Sequence, residues 1–376
     1  MKIVLNKPFW GKPEEKLLVK ALRTTTGSGG GPFNGQLVRQ LKKLTGSRYV
    51  FPTTSCTHAL ELSMRALGIG PGDEVILPSF TMTSTANCVV LTGATPVFAD
   101  IKEDSYNVDP ESIAEKITAK TRGIIVVHYA GMSCDMVQIA SLAKRHRLFI
   151  VEDAAHAIGA TYRGKQLGTL SAIGAFSFHG TKNISCGEGG AALTDDPKLA
   201  DKMDIFRANG TNRSAFLAGM VSRYSWVGTG SSFFLSDLLA AVACAQLTRI
   251  RSIIRQRAAI AAYYSQALSR YRGVIALPKV TPGTSPNWHI YAIRFTSPEK
   301  RSEFMKGMRV LGIEVSSHYV PLHTSVMGLA IHARPAKLPV TDRVANTLVR
   351  LPIYPGLTAA QLRYIVTSAQ KVLEAH

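Results

Sequence analysis

The sequence predicts an α/β protein with a large domain, in which a mostly parallel sheet lies between helices, and a small C-terminal α/β domain. Short apolar runs alternate with segments whose apolar residues recur at helical spacing, a pattern typical of parallel strands joined by crossover helices. A long helical stretch begins near residue 236, and a shorter strand–helix alternation follows it. We therefore expect the large domain to comprise residues 1–247 and the small domain residues 248–376.

The strands and helices of the large domain alternate along the chain. A glycine-rich stretch at 27–35 predicts a flexible loop, and a helix is expected over 36–44. Apolar runs bounded by turn residues predict strands at 74–77, 95–99, 123–127, 148–152, 173–178 and 190–193. Apolar residues at helical spacing predict helices at 57–67, 84–91, 110–117 and 136–146. The same criteria predict strands at 290–295 and 314–317 and helices at 236–271, 299–311 and 358–375.

Composition and charge narrow the class of protein. Of the 376 residues, 46% are hydrophobic and 18% are charged, which is typical of a packed globular chain. No apolar run reaches the roughly 18 residues of a membrane helix, so we expect a cytoplasmic protein with no membrane contact. The five cysteines are scattered without a C-x-x-C pair, so no metal site is expected. The net charge of +19 is spread along the chain without a nucleic-acid motif, which favours an anionic small substrate over nucleic acid.

An acidic residue and a lysine stand where one particular cofactor would need them. Asp153 closes an apolar strand, at the end where such sheets bind ligands, and Lys182 follows a second predicted strand. In enzymes that use pyridoxal 5'-phosphate (PLP), a lysine forms a Schiff base with the cofactor aldehyde, and an acidic residue pairs with the pyridinium nitrogen. A strand-end aspartate or a solvated lysine is common by itself, so the interpretation depends on the residues around the pair.

Two hydroxyl residues would complete such a site. Thr57 lies at the start of a predicted helix, whose unpaired N–H groups and positive dipole end suit a phosphate. Ser177 lies just before the lysine in the segment FSFHGTK. The alternatives are an ordinary helix cap for Thr57 and a buried strand serine for Ser177.

Six ordered motifs carry a resemblance that covers almost the whole chain. They are SCTHALELSMRALGIGPGDEVILPSFT, VEDAAHAIGATYRGKQLGT, FSFHGTKNISCGEGG, ANGTNR, SDLLAA and HYVPLH. In these motifs the chain resembles the DegT/DnrJ/EryC1/StrS sugar aminotransferases, which are PLP-dependent transferases of fold type I. The segments VHYAG, SCT, FRANGTNRS and GTGSSFFLSDL are most similar to the WecE/RffA type, the dTDP-4-amino-4,6-dideoxygalactose transaminases.

The resemblance implies a set of cofactor-binding residues, namely Cys56, Thr57, Met82, Asp153, His156, Ser177, Lys182 and Ser232. Within this set, Lys182 and Asp153 are implied to be catalytic. His156 would lie against the cofactor ring and its phenolic oxygen. Thr57 and Ser177 would supply hydroxyl groups to the cofactor phosphate.

Three of these positions depart from the pattern of many relatives. Cys56 stands where many relatives have glycine, and it would offer its backbone N–H to the phosphate. Met82 stands where an aromatic residue usually covers the ring; its thioether can pack on a ring face, with Phe80 as the alternative. Ser232 lies where many relatives carry a Tyr-Asn pair that reaches the cofactor of the other subunit, and it keeps a hydroxyl group there.

The resemblance also implies a homodimer whose active sites are shared between the subunits. A nucleotide-sugar substrate would be bound by Arg213, His318, Tyr319 and His323. For the two histidines, packing at the end of a strand is the alternative role.

The implied reaction moves an amino group from L-glutamate to a nucleotide-linked 4-keto-6-deoxy sugar, with pyridoxamine phosphate as the intermediate carrier. For dTDP-4-keto-6-deoxy-D-glucose, the products would be a 4-amino-4,6-dideoxy sugar nucleotide and 2-oxoglutarate. One alternative is an aminotransferase for a 3-keto sugar nucleotide. Another is a PLP-dependent sugar dehydratase, although those relatives replace the lysine with histidine. A third is a basic binding protein on a degenerate aminotransferase fold.

Overall fold

The computed structural model describes residues 1–331 and 336–375. The α-helices in this part of the chain are α1 (Lys12–Thr24), α2 (Pro32–Thr45), α3 (Cys56–Leu67), α4 (Thr83–Val90), α5 (Pro110–Lys116), α6 (Met136–His146), α7 (Pro197–Arg207), α8 (Arg213–Leu217), α9 (Asp237–Thr248), α10 (Ile250–Ala267), α11 (Pro298–Val310), α12 (Val326–Ile331), α13 (Pro339–Thr347) and α14 (Ala359–Glu374). The strands are β1 (Tyr49–Thr53), β2 (Glu74–Pro78), β3 (Thr95–Ala99), β4 (Thr121–Val127), β5 (Phe149–Asp153), β6 (Thr161–Tyr162), β7 (Lys165–Gln166), β8 (Ile173–Ser177), β9 (Gly190–Thr194), β10 (Ile275–Ala276), β11 (Thr284–Ser285), β12 (Tyr291–Phe295) and β13 (Leu348–Leu351).

A seven-stranded sheet forms the centre of the protein, with the strand order β1-β9-β8-β5-β4-β2-β3. Strands β8, β5, β4, β2 and β3 pair in parallel, and β9 is antiparallel to both of its neighbours. Two apolar cores contain side chains of this sheet together with those of the surrounding helices. The prediction of a mostly parallel sheet between helices is therefore confirmed.

Most predicted elements of the large domain lie within two residues of the observed ones. The helix α6 and the strand β3 have the predicted bounds. The helices α1 and α7 and the strand β1 were not predicted from the sequence.

The flexible loop expected over 27–35 ends earlier than predicted, because α2 begins at Pro32. Proline suits the first turn of a helix, since its φ is fixed near the helical value. The buried carboxylate of Asp237 also accepts hydrogen bonds from the backbone N–H groups of Phe33 and Asn34, at 3.3 and 2.8 Å. These two amides belong to the first turn of α2 and have no acceptor within the helix. A side chain more than 200 residues away in the sequence therefore accepts their hydrogen bonds.

The long helix expected over 236–271 is broken at Arg249, where α9 ends and α10 begins. A second sheet follows, with the antiparallel order β10-β12-β13, and α11 packs against α14 beside it. The strand predicted at 314–317 is wrong: this segment makes only an isolated bridge, between Ser316 and Arg350. The helix α13 and the strand β13 were not predicted.

A separate apolar core lies in the C-terminal part of the chain, over residues 260–373. Ile3 from the N-terminus is buried in this core, and its backbone N–H donates to the carbonyl of Gly312 at 2.9 Å. We propose the domain division between residues 247 and 248, with the first few residues packed on the small domain.

The described residues contain neither a membrane-spanning helix nor a metal-binding cluster. Within 1–331 and 336–375, no helix has both the length and the apolar character needed to cross a membrane. In the same residues, no cluster of three or more His, Cys, Asp or Glu side chains is arranged to hold a metal ion. All five cysteines are free and buried.

Strand β8, which leads to Lys182, passes so close to the loop at Gly168 that only glycine fits at position 174. A Cβ atom on Gly174 would lie 1.9 Å from the Gly168 carbonyl oxygen. We expect Gly174→Ala to lower the free energy of unfolding by about 3 kcal/mol, because the two backbone segments must separate. Urea unfolding measures this difference.

The matched control is Gly273→Ala, where a Cβ atom would meet nothing within 4 Å. This control should change the free energy of unfolding by less than about 1 kcal/mol. Equal stability of the two variants would contradict the close approach at Gly174.

Candidate active site

A cavity of about 420 Å³ opens at the carboxyl ends of the parallel strands. Val127 at the end of β4, Asp153 at the end of β5 and Ser177 at the end of β8 all line it. Parallel strands place their carboxyl ends at one edge of the sheet, so the fold itself brings these residues together. The small domain covers the cavity with residues that include Arg350 of β13.

The carboxylate of Asp153 is held in a fixed, buried position. Only 4% of this residue is exposed, and Oδ2 accepts a hydrogen bond from the hydroxyl of Thr85 at 2.8 Å. Its Oδ1 accepts the backbone N–H of Ala155 at 3.1 Å. Burial raises the pKa of Asp153, while these two donors and the nearby Lys182 amine oppose the rise. A buried carboxylate at the wall of a cavity favours a ligand that presents a cationic or N–H group.

Lys182 lies in the turn that follows β8, where its backbone N–H donates to the carbonyl of His179 at 2.9 Å. Its side chain lines the same cavity as Asp153. Enclosure by the protein lowers the pKa of the Lys182 amine, and Arg350 acts in the same direction, whereas Cys56 and Asp153 oppose it. A lowered pKa increases the fraction of neutral amine, the form that acts as a nucleophile or a base.

The start of α3 presents an anion site to the cavity. Ser55 caps this helix, and its hydroxyl accepts the N–H of His58 at 3.1 Å. Cys56 and Thr57, the first two helical residues, line the cavity, and their backbone N–H groups have no acceptor among the described residues. The Thr57 hydroxyl is hydrogen-bonded to that of Ser84 at 2.8 Å. Free amides at a helix N-terminus beside two hydroxyl groups suit a phosphate.

The donor groups of the cavity fit the groups of PLP. The helix amides and the hydroxyls of Thr57 and Ser177 would hold the phosphate. Asp153 would face the protonated ring nitrogen, and Lys182 would reach the aldehyde. Gly190 lets β9 run close to this end of the cavity, since a Cβ atom there would lie 2.5 Å from the first backbone nitrogen of α3.

His156 supplies a flat, neutral wall of the cavity. Its Nδ1 accepts the backbone N–H of Ala130 at 3.4 Å, so Nε2 carries the hydrogen and faces the Tyr319 hydroxyl, also at 3.4 Å. Burial lowers the pKa of His156, and the Lys182 amine lowers it further. The imidazole is therefore uncharged, as suits a ring that packs against a flat ligand.

The two candidates for covering a cofactor ring are placed differently. Met82 lines the cavity and is 54% exposed. Phe80 is buried against the rings of Tyr129 and Tyr319 and lies outside the cavity lining. The side chain available at this face is therefore that of Met82.

The residues predicted to bind the substrate, and Ser232, which was predicted to bind the cofactor, do not all come together in one chain. His318 and Tyr319 line the cavity, and Tyr129 is hydrogen-bonded to Nδ1 of His318 at 3.2 Å. His323 is buried outside the cavity lining, where its ring bonds to the Ser79 hydroxyl at 2.8 Å. Arg213, at the start of α8, and Ser232, which bridges to Ala208, also lie outside it.

Several residues that line or support the cavity were not found from the sequence, among them Thr85, Asn6, His289 and Arg350. Thr85 lies one helical turn after Thr81, so the repeated hydroxyl in SFTMTST was a usable local signal. Asn6, His289 and Arg350 come from the N-terminus and from the small domain, and they line the cavity only because the chain folds back on itself. The segments around these three residues carry no pattern that distinguishes them from structural residues.

Burial of Asp153 has a consequence for stability that depends on pH. Because its pKa is raised in the folded protein, stability is lost as the pH rises from the unfolded value through the folded value. The asparagine of the Asp153→Asn variant does not titrate, so the free energy of unfolding of this variant does not fall for this reason as the pH rises. Without ligand, we therefore expect the variant to be more stable than the wild type at about pH 8, with the difference shrinking toward about pH 4.

Urea unfolding of the ligand-free protein across this pH range measures the difference. Asp104→Asn, an exposed carboxylate replaced in the same way, is the control and should follow the wild type. An Asp153→Asn variant that is less stable than the wild type at every pH would show that its carboxylate stabilises the fold.

Known proteins resemble this chain over nearly its full length. The sequence model of the DegT/DnrJ/EryC1/StrS aminotransferase family matches residues 10–370. The spore coat polysaccharide biosynthesis protein SpsC of Bacillus subtilis is 33% identical, over 98% of this chain and 96% of that protein. DesV of S. venezuelae, solved in complex with a ketimine intermediate, is 34% identical, with a TM-score of 0.89 and coverage of 96% and 94%. The PLP form of Spr1654 from Streptococcus pneumoniae is 27% identical, with a TM-score of 0.93 and coverage of 100% and 99%.

These similarities agree with the geometry of the cavity. Spr1654 has been solved in both PLP and pyridoxamine phosphate forms, the two states between which an aminotransferase cycles. Of the residues predicted to hold PLP, all except Ser232 line one cavity here. The family match and the PLP and pyridoxamine phosphate forms of its relatives confirm the expectation of a PLP-dependent enzyme over that of a degenerate binding protein. The chain belongs to the DegT/DnrJ/EryC1/StrS aminotransferase family and is a PLP-dependent sugar aminotransferase.

Proposed function

We propose that the protein transfers the amino group of L-glutamate to carbon 4 of a nucleotide-linked 4-keto-6-deoxy sugar, with dTDP-4-keto-6-deoxy-D-glucose as the acceptor. The observation that carries an amino transfer is the placement of Lys182 and Asp153 on one cavity with the free start of α3. The choice of carbon 4 rests on the segments FRANGTNRS and GTGSSFFLSDL. The relative SpsC takes part in polysaccharide biosynthesis, which supports an amino sugar destined for a glycan.

Lys182 would move the proton that the reaction requires. When bound, PLP withdraws electrons from the carbon that carries the reacting amine, so that a proton can leave that carbon. The Lys182 Nζ, whose pKa is lowered, would take this proton from the donor Cα and deliver it to carbon C4′ of the cofactor, and on the sugar it would carry a proton in the reverse direction, from C4′ to the sugar carbon that gains the amine. Asp153 would accept the hydrogen bond of the ring N–H and so keep that nitrogen protonated. His156 and Met82 would hold the two faces of the ring.

A second copy of the chain would complete the site. Large apolar side chains are exposed along the segment 216–227, including Leu217, Met220 and Trp226, the last of which is 79% exposed. Such a patch favours burial in a protein interface. In the proposed homodimer, Arg213 and Ser232, which border this segment, would serve the site of the partner subunit. His323 would act indirectly, by holding the HYVPLH segment against the end of β2.

The alternatives differ in what they require of Lys182 and of the acceptor. A dehydratase of this family would carry histidine in place of Lys182, so the lysine disfavours that reaction. An aminotransferase for a 3-keto sugar nucleotide would use the same residues on PLP. The acceptor must therefore be identified by experiment.

The test is the visible absorbance spectrum of the PLP-loaded protein before and after L-glutamate is added. We expect the band of the lysine-bound cofactor to disappear and the band of pyridoxamine phosphate to appear. A 4-keto-6-deoxy sugar nucleotide should then restore the first band faster than a 3-keto isomer does. Faster recovery with the 3-keto isomer would overturn the proposed acceptor, and no response to glutamate would overturn the proposed donor.

Replacement of the lysine tests its role in proton transfer. We expect Lys182→Ala to lower turnover by at least about 10³-fold, because no other described amine lines the cavity to move the proton. Lys165→Ala, which changes an exposed lysine in β7, is the matched control and should keep the wild-type rate. Steady-state transamination measures both, and wild-type turnover of Lys182→Ala would rule out the assignment.

A further inference from the structure

Arg350 is a cationic residue that lines the cavity and has no part in the proposed binding of PLP. It lies on β13, where its backbone pairs with Ala292 of β12 and its N–H donates to the carbonyl of Ser316 at 2.8 Å. The backbone is therefore held on both sides, and the side chain lines the same cavity as Lys182. Because its backbone is fixed, Arg350 keeps its guanidinium beside the cavity.

The guanidinium of Arg350 lacks a partner within residues 1–331 and 336–375. Five arginines have a buried Nε atom without a hydrogen bond: Arg207, Arg257, Arg294, Arg301 and Arg350. The first four use other nitrogens to reach a carboxylate or a backbone carbonyl. The guanidinium of Arg350 makes no hydrogen bond or ion pair to a described residue.

The groups around Arg350 do not balance its charge. Burial lowers the pKa of the guanidinium, and the hydroxyls of Tyr129 and Tyr319 oppose this shift. The other titratable groups that interact with it, among them Lys182 and His318, carry no negative charge. An arginine nevertheless stays protonated in proteins. A partly buried cation without an acid loses hydration that nothing in the chain replaces, so an anionic ligand is expected to stabilise it.

We infer that Arg350 binds the α-carboxylate of the amino-acid donor through its planar pair of N–H groups. The inference rests on the proposed function, in which the donor is an L-amino acid. A guanidinium matches a carboxylate with two parallel hydrogen bonds, which a single ammonium group does not provide.

The position of Arg350 favours the donor carboxylate over the diphosphate of the nucleotide sugar. The α-carboxylate is bonded to the same carbon as the reacting amine, so it must lie close to Lys182 during the transfer. The diphosphate is separated from the keto carbon by the sugar ring and lies farther from the reacting atoms. Arg350 lowers the pKa of Lys182, which agrees with a position of the guanidinium close to the Lys182 amine.

The experiment measures the donor half-reaction of the PLP-loaded protein by absorbance at a series of L-glutamate concentrations. Arg350→Met should raise the apparent Kd for glutamate by about 10- to 150-fold, the usual loss for hydrogen bonds to a charged group. Arg350→Lys keeps the charge without the planar fork and should recover part of this loss. In both variants, the affinity for dTDP should stay within about twofold of the wild type.

A donor analogue separates carboxylate recognition from a structural effect. 4-Aminobutanoate equals glutamate without its α-carboxylate, so the wild type should prefer glutamate strongly and Arg350→Met should lose most of this preference. Arg294→Met, on the neighbouring strand, removes an arginine that pairs with Glu103 at 2.8 Å outside the cavity lining. This control should keep both the affinity and the preference.

Three results would overturn the inference. Arg350→Met could keep the wild-type affinity for glutamate, it could lose affinity for dTDP instead, or it could weaken glutamate and 4-aminobutanoate equally. Failure of the proposed function looks different, because the wild type itself would then not respond to glutamate. In that case the comparison is repeated with whichever L-amino acid converts the wild type, and a protein that responds to none overturns the inference as well.

Discussion

The buried carboxylate of Asp153 is the constraint around which the site is arranged. A carboxylate can be buried at the end of β5 only if other groups replace its water, and Thr85 and Ala155 do so with two hydrogen bonds. Thr85 is available because α4 begins directly after the loop that follows β2. The strand β8 lies next to β5, so the turn after it brings Lys182 to the same cavity. The order of the strands and the hydrogen bonds to Asp153 thus place both of the proposed catalytic groups in one cavity.

Most charged groups of the cavity favour anions. The amides at the start of α3, the Lys182 amine and the Arg350 guanidinium all favour negative charge. Among the described lining residues, the carboxylates that oppose them are those of the buried Asp153 and the exposed Glu188. PLP uses both kinds of group, because it carries a phosphate at one end and a protonated nitrogen in its ring. The positive groups left over suit the carboxylates of an amino acid and the diphosphate of a nucleotide sugar. The overall net charge of +19 acts in the same direction at longer range.

The sequence alone predicted those residues of the candidate site whose positions follow from the strand or helix in which they lie. Asp153, Lys182 and Thr57 could be recognised because each lies at a strand end or a helix start with a motif around it. The proposed role of Arg350 could not be recognised, because it depends on the absence of an acidic partner for the guanidinium. This absence is visible only in the folded chain, among the described residues. The start of α2 was missed for a related reason, since the distant Asp237 satisfies its first amides. The segment 314–317 has only one apolar residue, Val315, and finds a single bridging partner, so the local pattern was too weak to support the predicted strand.

In the proposed homodimer, a second copy of the chain would form one wall of the site, and the pattern of exposed residues supports this proposal. Met82 is more than half exposed, although it occupies the position where a side chain should cover the ring. Arg213 and Ser232 flank an exposed apolar segment and do not reach the cavity of their own chain. Leaving Trp226 and its apolar neighbours in water is unfavourable, whereas pairing two chains would bury them. In the proposed homodimer, the same association would bring Arg213 and Ser232 to the cavity of the opposite subunit, so dimer formation and completion of the site would be one event.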